Sequence, residues 1–192
     1  MTEAGATGGT VQLRLVGPED RDRLRAWRND PAVAQHMYTT HEIGPEEHAR
    51  WFAGLLGDDR RRAWVASLDG VPVGAVFVTG IDRENRRATW GFYVADPRTR
   101  GRGVGSAIWV FVLDHVFEEL GLHKLCSEVL SSNEASLAMH QKFGFRTEGV
   151  LHDHVLRDGR WLHAHLLAMW ADDWAERRAG FEAGLRGNGR LA

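Results

Sequence analysis

The feature that most constrains this chain is a glycine-rich segment between a β-strand pattern and a long apolar helix pattern. The segment, DPRTRGRGVGSA, spans residues 96–107 and alternates arginine and glycine through its middle. The preceding residues 89–94, TWGFYV, are rich in aromatic and β-branched side chains, and apolar residues recur at helical spacing over residues 104–120. The chain must therefore begin a buried helix shortly after a strand, with arginines and bare backbone between the two.

Three kinds of anion-binding loop place glycines after a strand. A P-loop requires Gly-Lys followed by Ser or Thr, and this segment has no lysine. A dinucleotide-binding fingerprint requires Gly-x-Gly-x-x-Gly in the first strand–helix unit, whereas these glycines alternate and lie later in the chain. The third kind is a helix amino end whose unpaired N–H groups bind a pyrophosphate beside arginine charges, and a solvated flexible loop is the alternative.

The remaining patterns predict an α+β protein with a mixed, mostly antiparallel central sheet flanked by helices, in the order βααββββαβαββ. Asp69-Gly70 and Asp158-Gly159 predict two-residue hairpin turns. Asn133 is a predicted helix N-cap, and Gly144 a predicted helix end. We expect residues 1–10 to form a disordered tail, 11–170 the domain, and 171–192 a helix followed by a tail.

Charge and cysteine content restrict the classes of partner. The formal net charge is −2, with 24 Lys and Arg against 26 Asp and Glu, so we expect neither nucleic acid nor membrane as a partner. The apolar runs are shorter than a membrane span needs, and the amino end lacks a signal-peptide pattern, so we expect a cytoplasmic protein. Cys126 is the one cysteine, which excludes an internal disulfide and a cysteine-rich zinc site, and we expect no metal.

The glycine-rich segment and its surroundings resemble the GNAT superfamily of acetyl-CoA-dependent N-acetyltransferases. The family signature, Gln/Arg-x-x-Gly-x-Gly/Ala, corresponds to RGRGVG at residues 100–105, and NEASLAMHQKFGF at 133–145 follows at the expected separation. The similarity extends from Val11 to Trp170. It implies the GNAT fold and direct transfer of the acetyl group of acetyl-CoA to a primary amine.

The resemblance also implies which residues bind the coenzyme. The loop N–H groups would bind the pyrophosphate, and the pantetheine would lie like an added strand along the strand that ends at Val94. The implied coenzyme-binding residues are Phe92, Tyr93, Val94, Arg100, Gly101, Arg102, Gly103, Val104, Gly105, Ser106 and Asn133.

Two residues are candidates for the proton transfers of amine acetylation. Family members often have a tyrosine that protonates the departing thiolate, and His140 stands at that position here, as an acid or an orienting group. A surface histidine is the alternative. Glu128 shares a strand face with Cys126 and Leu130 and is the candidate proton acceptor, with an exposed, salt-bridged glutamate as the alternative.

Three further segments, WRND at 27–30, HMY at 36–38 and EEH at 46–48, resemble the UDP-4-amino-sugar N-acetyltransferases of pseudaminic acid biosynthesis. By this resemblance the acceptor is a nucleotide-linked amino sugar, with Arg suited to diphosphate oxygens and aromatic rings suited to sugar and base faces. The implied acceptor-binding residues are Arg28, Met37, Tyr38, His48 and Phe52.

Other functions are compatible with the same sequence. The chain could acetylate ribosomal-protein N-termini or small amines such as polyamines or antibiotics. It could also be a GNAT module that binds acyl-CoA without catalysis. A homodimer is compatible with each of these functions.

The last hairpin contains four histidines. A two-residue turn at Asp158-Gly159 would place His154 opposite His163 and His152 opposite His165, all on one face. Zinc binding by this set is one interpretation, but a polar face at an interface or beside the acceptor cleft is favoured, because a strand pair seldom offers four tetrahedral ligands.

Overall fold

The structure is a computed structural model that describes residues 9–99 and 101–186. Seven strands form one sheet: β1 (Val11–Leu15), β2 (Arg62–Leu68), β3 (Val71–Asp82), β4 (Arg87–Val94), β5 (Lys124–Leu130), β6 (Arg146–Arg157) and β7 (Arg160–Trp170). Their order across the sheet is β1-β2-β3-β4-β5-β7-β6. All neighbours are antiparallel except β4 and β5, which are parallel. The sheet is therefore mixed and mostly antiparallel, as predicted.

Helices cover both faces of this sheet. They are α1 (Arg21–Asn29), α2 (Pro31–Ala34), α3 (Pro45–Gly57), α4 (Val104–Asp114), α5 (Glu134–Phe143) and α6 (Ala171–Arg186). A π-helical turn at His115–Glu119 continues α4. In the described part of the chain, no helix combines the length and the apolar character that crossing a bilayer requires.

The element order differs from the predicted order at two points. Three strands rather than four lie between α3 and α4, because the turns at 69–70 and 83–86 divide residues 62–94 into three runs. The one-turn helix α2 follows α1 because Asp30 caps it, accepting the Ala32 N–H at 2.8 Å, and Pro31 occupies its first position.

Both predicted hairpin turns are confirmed. Asp69 and Gly70 have φ values of 52° and 77°, and Asp158 and Gly159 have 49° and 75°. Two consecutive residues with positive φ form the turn whose twist matches that of antiparallel strands. Local backbone preference at these residues therefore accounts for two of the strand connections.

The histidine pairing predicted for the β6–β7 hairpin is wrong. A bulge places residues 152–154 of β6 opposite His163 alone. Asp153 adopts a φ of 49° within the bulge, and its N–H donates to Nδ1 of His163 at 3.0 Å. His152 consequently packs against His163, with ring centroids 4.9 Å apart.

The bulge also separates the other two histidines from this pair. His165 pairs with Val150 on β6. The His154 ring packs edge-on against the Tyr38 ring, with the ring centroids 6.2 Å apart. Among the described residues, no cluster of three or more His, Cys, Asp or Glu side chains is arranged to hold a metal ion. The four imidazoles therefore do not form one ligand set.

Two apolar clusters lie on opposite faces of the sheet. One, beneath α4, α5 and α6, contains the fully buried Trp109 and Trp174, and the other, beneath α1 and α3, contains Leu24 and Phe52. Nε1 of Trp174 donates to Oδ1 of Asp114 at 2.9 Å, which ties α6 to α4. The helix that follows residue 170 is thus packed into the same core.

The predicted terminal tails lie mostly outside the described residues, which exclude 1–8 and 187–192. Thr10, the last residue of the predicted amino-terminal tail, is hydrogen-bonded to the β2–β3 turn. Its N–H donates to Oδ1 of Asp69 at 2.9 Å, and its carbonyl accepts from the Asp69 N–H at 3.0 Å. Residue 10 therefore belongs with the sheet rather than with a tail.

Candidate active site

A cleft opens where the two parallel strands separate. β4 and β5 pair over only three positions, 87–89 with 124–126, although β4 continues to Val94 and β5 to Leu130. A cavity of about 750 Å³ occupies this opening. The predicted site residues that line it are Arg28, Met37, Phe92, Tyr93, Val94, Gly101, Gly103, Val104, Gly105, Ser106, Glu128, Asn133 and His140.

The amino end of α4 forms one end of the cavity. Gly103 is its N-cap, with a left-handed φ of 83° that favours glycine, and within the described chain no side chain caps this helix end. The first intrahelical hydrogen bond that closes the turn is from the Ala107 N–H to the Gly103 carbonyl, at 2.9 Å. The preceding N–H groups are those that a helix leaves for an anion, so this end of the cavity fits a pyrophosphate.

Arg102 is positioned differently from the prediction that it binds the coenzyme. Nη2 of Arg102 donates to Oδ2 of Asp69 on the β2–β3 turn at 3.0 Å, and Arg102 does not line the cavity. Arg98 is paired with Asp96 at 2.8 Å, and this contact lowers the pKa of Asp96 to about 2. Arg100 lies outside the described residues. The described loop therefore presents backbone rather than arginine to the cavity.

Helix α5 supplies two of the predicted residues. Asn133 is its N-cap, as predicted, with Oδ1 accepting the Ser136 N–H at 3.2 Å. His140 is only 2% exposed. The centroid of its ring lies 4.6 Å from that of Trp109 and 4.9 Å from that of Phe145. A surface histidine is therefore excluded.

The charge state of His140 follows from its surroundings. Nδ1 lies 2.8 Å from the Ser136 carbonyl, and because a carbonyl only accepts, we assign the proton to Nδ1. Nε2 is then the basic nitrogen, and it has no hydrogen-bond partner among the described residues. Burial lowers the pKa of His140 to about 4. The imidazole is thus neutral at pH 7, and its Nε2 is able to accept a hydrogen bond but not to donate one.

This pKa shift predicts an acid-dependent loss of stability. An unfolded histidine titrates near pH 6.5, so His140 contributes its full stabilisation above that pH and loses it as the pH falls toward 4. Over this window the loss amounts to about 3 kcal/mol. Urea unfolding at pH 7 and pH 4 should show this loss in the wild type and a markedly smaller one in His140→Leu.

The exposed position His123 provides the control, because His123→Leu should keep the wild-type pH dependence. An equal loss of stability in His140→Leu and the wild type would show that His140 is not the group responsible.

Tyr38 does not line the cavity, contrary to the prediction that it binds the acceptor, but it contacts Glu128, which does. The Tyr38 hydroxyl donates to Oε1 of Glu128, which brings a predicted acceptor-binding residue together with the predicted proton acceptor. Ninety positions separate them in the chain. Their contact places a carboxylate at the cavity wall with a phenol holding one of its oxygens.

The β6–β7 hairpin holds the segment that carries Tyr38. The Arg157 guanidinium donates to the carbonyl oxygens of Gln35 and Met37, and His154 packs against the Tyr38 ring. Sequence reasoning missed Arg157, because its partners are backbone carbonyls about 120 positions away. Its only local signal was its place beside the predicted turn.

His48 and Phe52 do not line the cavity, contrary to the prediction that they bind the acceptor. Both side chains are buried in the core between α3 and the sheet, where their rings stack with centroids 6.0 Å apart. Helical spacing places residues 48, 52 and 55 on one inward face, whereas Trp51 reaches the cavity. The segment EEH thus supports packing rather than acceptor binding.

Arg28 and Tyr93 lie on the α1 side of the cavity. Burial lowers the pKa of Arg28 and raises that of Tyr93. The Tyr93 ring packs edge-on against Trp27 at 6.2 Å. Nη1 of Arg28 and the Tyr93 hydroxyl are both buried without a hydrogen-bond partner among the described residues.

The fold, the opened strand pair and the uncapped glycine-rich helix end define an acyl-CoA-dependent acetyltransferase, and this chain belongs to the acetyltransferase (GNAT) domain family, which matches residues 10–146. A spermidine N-acetyltransferase from Vibrio cholerae, solved with CoA and spermine, superposes with a TM-score of 0.80 at 19% identity. The match covers 86% of this chain and 98% of that one.

Two sequence relatives extend the comparison. An uncharacterized prophage-derived N-acetyltransferase of Bacillus subtilis is 29% identical over 174 residues, covering 88% of this chain and 94% of the relative. The spermidine N(1)-acetyltransferase of Escherichia coli is 25% identical over 155 residues, covering 81% and 83%. The protein is therefore an acetyl-CoA-dependent N-acetyltransferase, and these relatives do not support the predicted nucleotide-sugar acceptor.

Proposed function

We propose that this enzyme acetylates the primary amine of a small molecule. The observation that carries the proposal is that one cavity contains both the uncapped amino end of α4 and the carboxylate of Glu128. A coenzyme bound along β4 with its pyrophosphate at α4 would direct its acetyl group toward Glu128. Met37 also lines this cavity, and its carbonyl is bonded by Arg157 of the β6–β7 hairpin.

In this proposal each side chain has one task. Glu128, oriented by Tyr38, accepts the proton that an ammonium must lose before it attacks the thioester. Neutral His140 accepts a hydrogen bond through Nε2 and orients the donor, and it does not protonate the thiolate as an imidazolium. The thiolate leaves when the thioester C–S bond breaks, and it takes the second proton that the attacking nitrogen loses. Gly103, Val104, Gly105 and Ser106 bind the coenzyme pyrophosphate through the backbone.

The acceptor class is tested by an acetyl-CoA assay over matched concentrations of five groups of amine. The panel contains spermidine and spermine, small amino acids, simple alkylamines, UDP-4-amino sugars and peptide N-termini. Free thiol release gives the rate, and mass spectrometry gives the acetylated product.

We expect at least one of the small-amine groups to exceed the nucleotide sugars and peptides by about tenfold or more in kcat/KM, which corresponds to about 1.4 kcal/mol of discrimination. The panel includes polyamines because two of the compared relatives are named for spermidine. A preference for UDP-4-amino sugars would overturn the proposal. Coenzyme binding without thiol release on any amine would indicate a binding module.

A further inference from the structure

The two charged side chains that line the cavity differ in their hydrogen bonding. Among the described lining residues, Glu128 is the one carboxylate and Arg28 the one arginine. Glu128 is bonded by the Tyr38 hydroxyl, but Nη1 of Arg28 is buried without a hydrogen-bond partner. A partly buried cation whose buried nitrogen lacks a bonded anion is costly, so a residue in this state is suited to bind an anion from outside the chain.

A second unpaired donor lies on the same side of the cavity. The Tyr93 hydroxyl is buried, has no hydrogen-bond partner among the described residues, and interacts electrostatically with Arg28. Period two along β4 turns Tyr93 toward α1 and α3, whereas Phe92 and Val94 pack toward the α4 face. The two donors are therefore on the side of the sheet opposite the uncapped end of α4.

An anionic oxygen group would satisfy both donors at once. A guanidinium and a phenol can each donate to the same carboxylate, phosphonate or phosphate, and hydrogen bonds to charged groups are stronger than neutral ones. A polycation would instead bring additional positive charge toward Arg28. The cavity thus offers Glu128 to an ammonium and Arg28 with Tyr93 to an anion.

We propose that the acceptor carries an anionic oxygen group in addition to its primary amine, and that Arg28 and Tyr93 bind that group. This proposal rests on the proposed function, because it requires that the amine substrate bind on the α1 side of the cavity. It makes Arg28 a specificity-determining residue.

The test uses pairs of acceptors that differ only in the anionic group. Suitable pairs are an α-amino acid with its amide, β-alanine with 3-aminopropanamide, and 2-aminoethylphosphonate with ethanolamine, and spermidine is the polycation. We expect the wild type to favour the anionic member of at least one pair by about tenfold or more in kcat/KM. The carboxylate and phosphonate pairs show which source of the anion is preferred.

Variants then assign the preference to residues. Arg28→Met should lower kcat/KM for the anionic acceptor about 10- to 100-fold and change that for its neutral partner less than about threefold. Tyr93→Phe should give a smaller loss in the same direction. Arg21→Met is the matched control on α1, because Arg21 is exposed and does not line the cavity. The KM for acetyl-CoA should be the same in Arg28→Met, in Arg21→Met and in the wild type.

Two results would overturn the proposal. One is a wild-type kcat/KM for the neutral members of the pairs, or for spermidine, that equals the kcat/KM for the anionic acceptors. The other is a loss in Arg28→Met that is equal for all acceptors. If no amine is acetylated, the proposed function fails, and calorimetric binding of the N-acetylated anionic compounds with CoA decides instead. Binding at least about tenfold weaker in Arg28→Met than in wild type would support the anion site, and equal or absent binding to both would overturn it.

Discussion

Gly105→Glu should reduce the affinity for coenzyme A at least about 100-fold while the protein remains folded. Gly105 lies in the first turn of α4, lines the cavity, and would place a Cβ no nearer than 4.0 Å to Cε of Met139. The added carboxylate would occupy and repel the anion site at this helix end. Loss of two charge-assisted hydrogen bonds, each contributing about 1.5–3 kcal/mol, accounts for the expected factor.

The same substitution should leave stability unchanged or slightly higher. A carboxylate in the first turn of a helix interacts favourably with the helix dipole, by about 0.3–1 kcal/mol. Calorimetric titration with coenzyme A measures the affinity, and thermal unfolding measures the stability. A loss of affinity accompanied by unfolding would not meet the prediction.

Gly180→Glu on α6 is the matched control. Gly180 is also a helical glycine, with open space around its Cβ position, so the substitution adds the same charge and side chain away from the cleft. It should keep wild-type affinity. Equal affinities of the Gly105→Glu and Gly180→Glu variants would show that the coenzyme binds elsewhere.

Glu128→Gln should lower kcat/KM for the amine about 100-fold or more at neutral pH, with unchanged affinity for acetyl-CoA. The amide keeps the shape of the carboxylate but cannot accept the proton that the ammonium must lose. The deficit should shrink as the pH approaches the pKa of the amine, because solution then supplies the neutral amine. A pH series of initial rates measures this change.

Tyr38→Phe tests the contact that orients Glu128. It removes the hydroxyl that donates to Oε1 of Glu128, so its effect should be smaller than that of Glu128→Gln, and the double variant should be no worse than Glu128→Gln alone. Glu84→Gln, at an exposed turn remote from the cavity, should behave as wild type. If Glu128→Gln stays within about threefold of wild type at every pH, Glu128 is not the proton acceptor.

The residues proposed to bind the coenzyme were easier to locate in the sequence than those proposed to bind the acceptor. Gly103 and Asn133 are helix N-caps, and an N-cap depends on residues one to three positions away. Such preferences are written in short stretches of sequence. The acceptor side depends on packing, and there the same kind of reading placed His48 and Phe52 in the cleft although they are core residues.

The histidine hairpin shows how a local prediction fails beyond its range. The turn at Asp158-Gly159 is present, and pairing next to the turn follows from it. The bulge at 152–154 then changes the register, so the residues of β6 that precede the bulge pair differently from those of a regular ladder. Nothing in the periodicity of β6 signalled the extra residues.

The sequence by itself determined the class of the protein: a strand, a bare helix end and a capped second helix are local features that identify the family and its coenzyme. Only the tertiary structure showed which residues line the cavity around Glu128, because the contacts there join residues that are far apart in the chain. Tyr38 reaches Glu128 across 90 positions, and Arg157 reaches the segment beside it across about 120. Burial, which makes His140 neutral and leaves Arg28 without a hydrogen-bond partner at Nη1 among the described residues, is likewise a property of the assembled core.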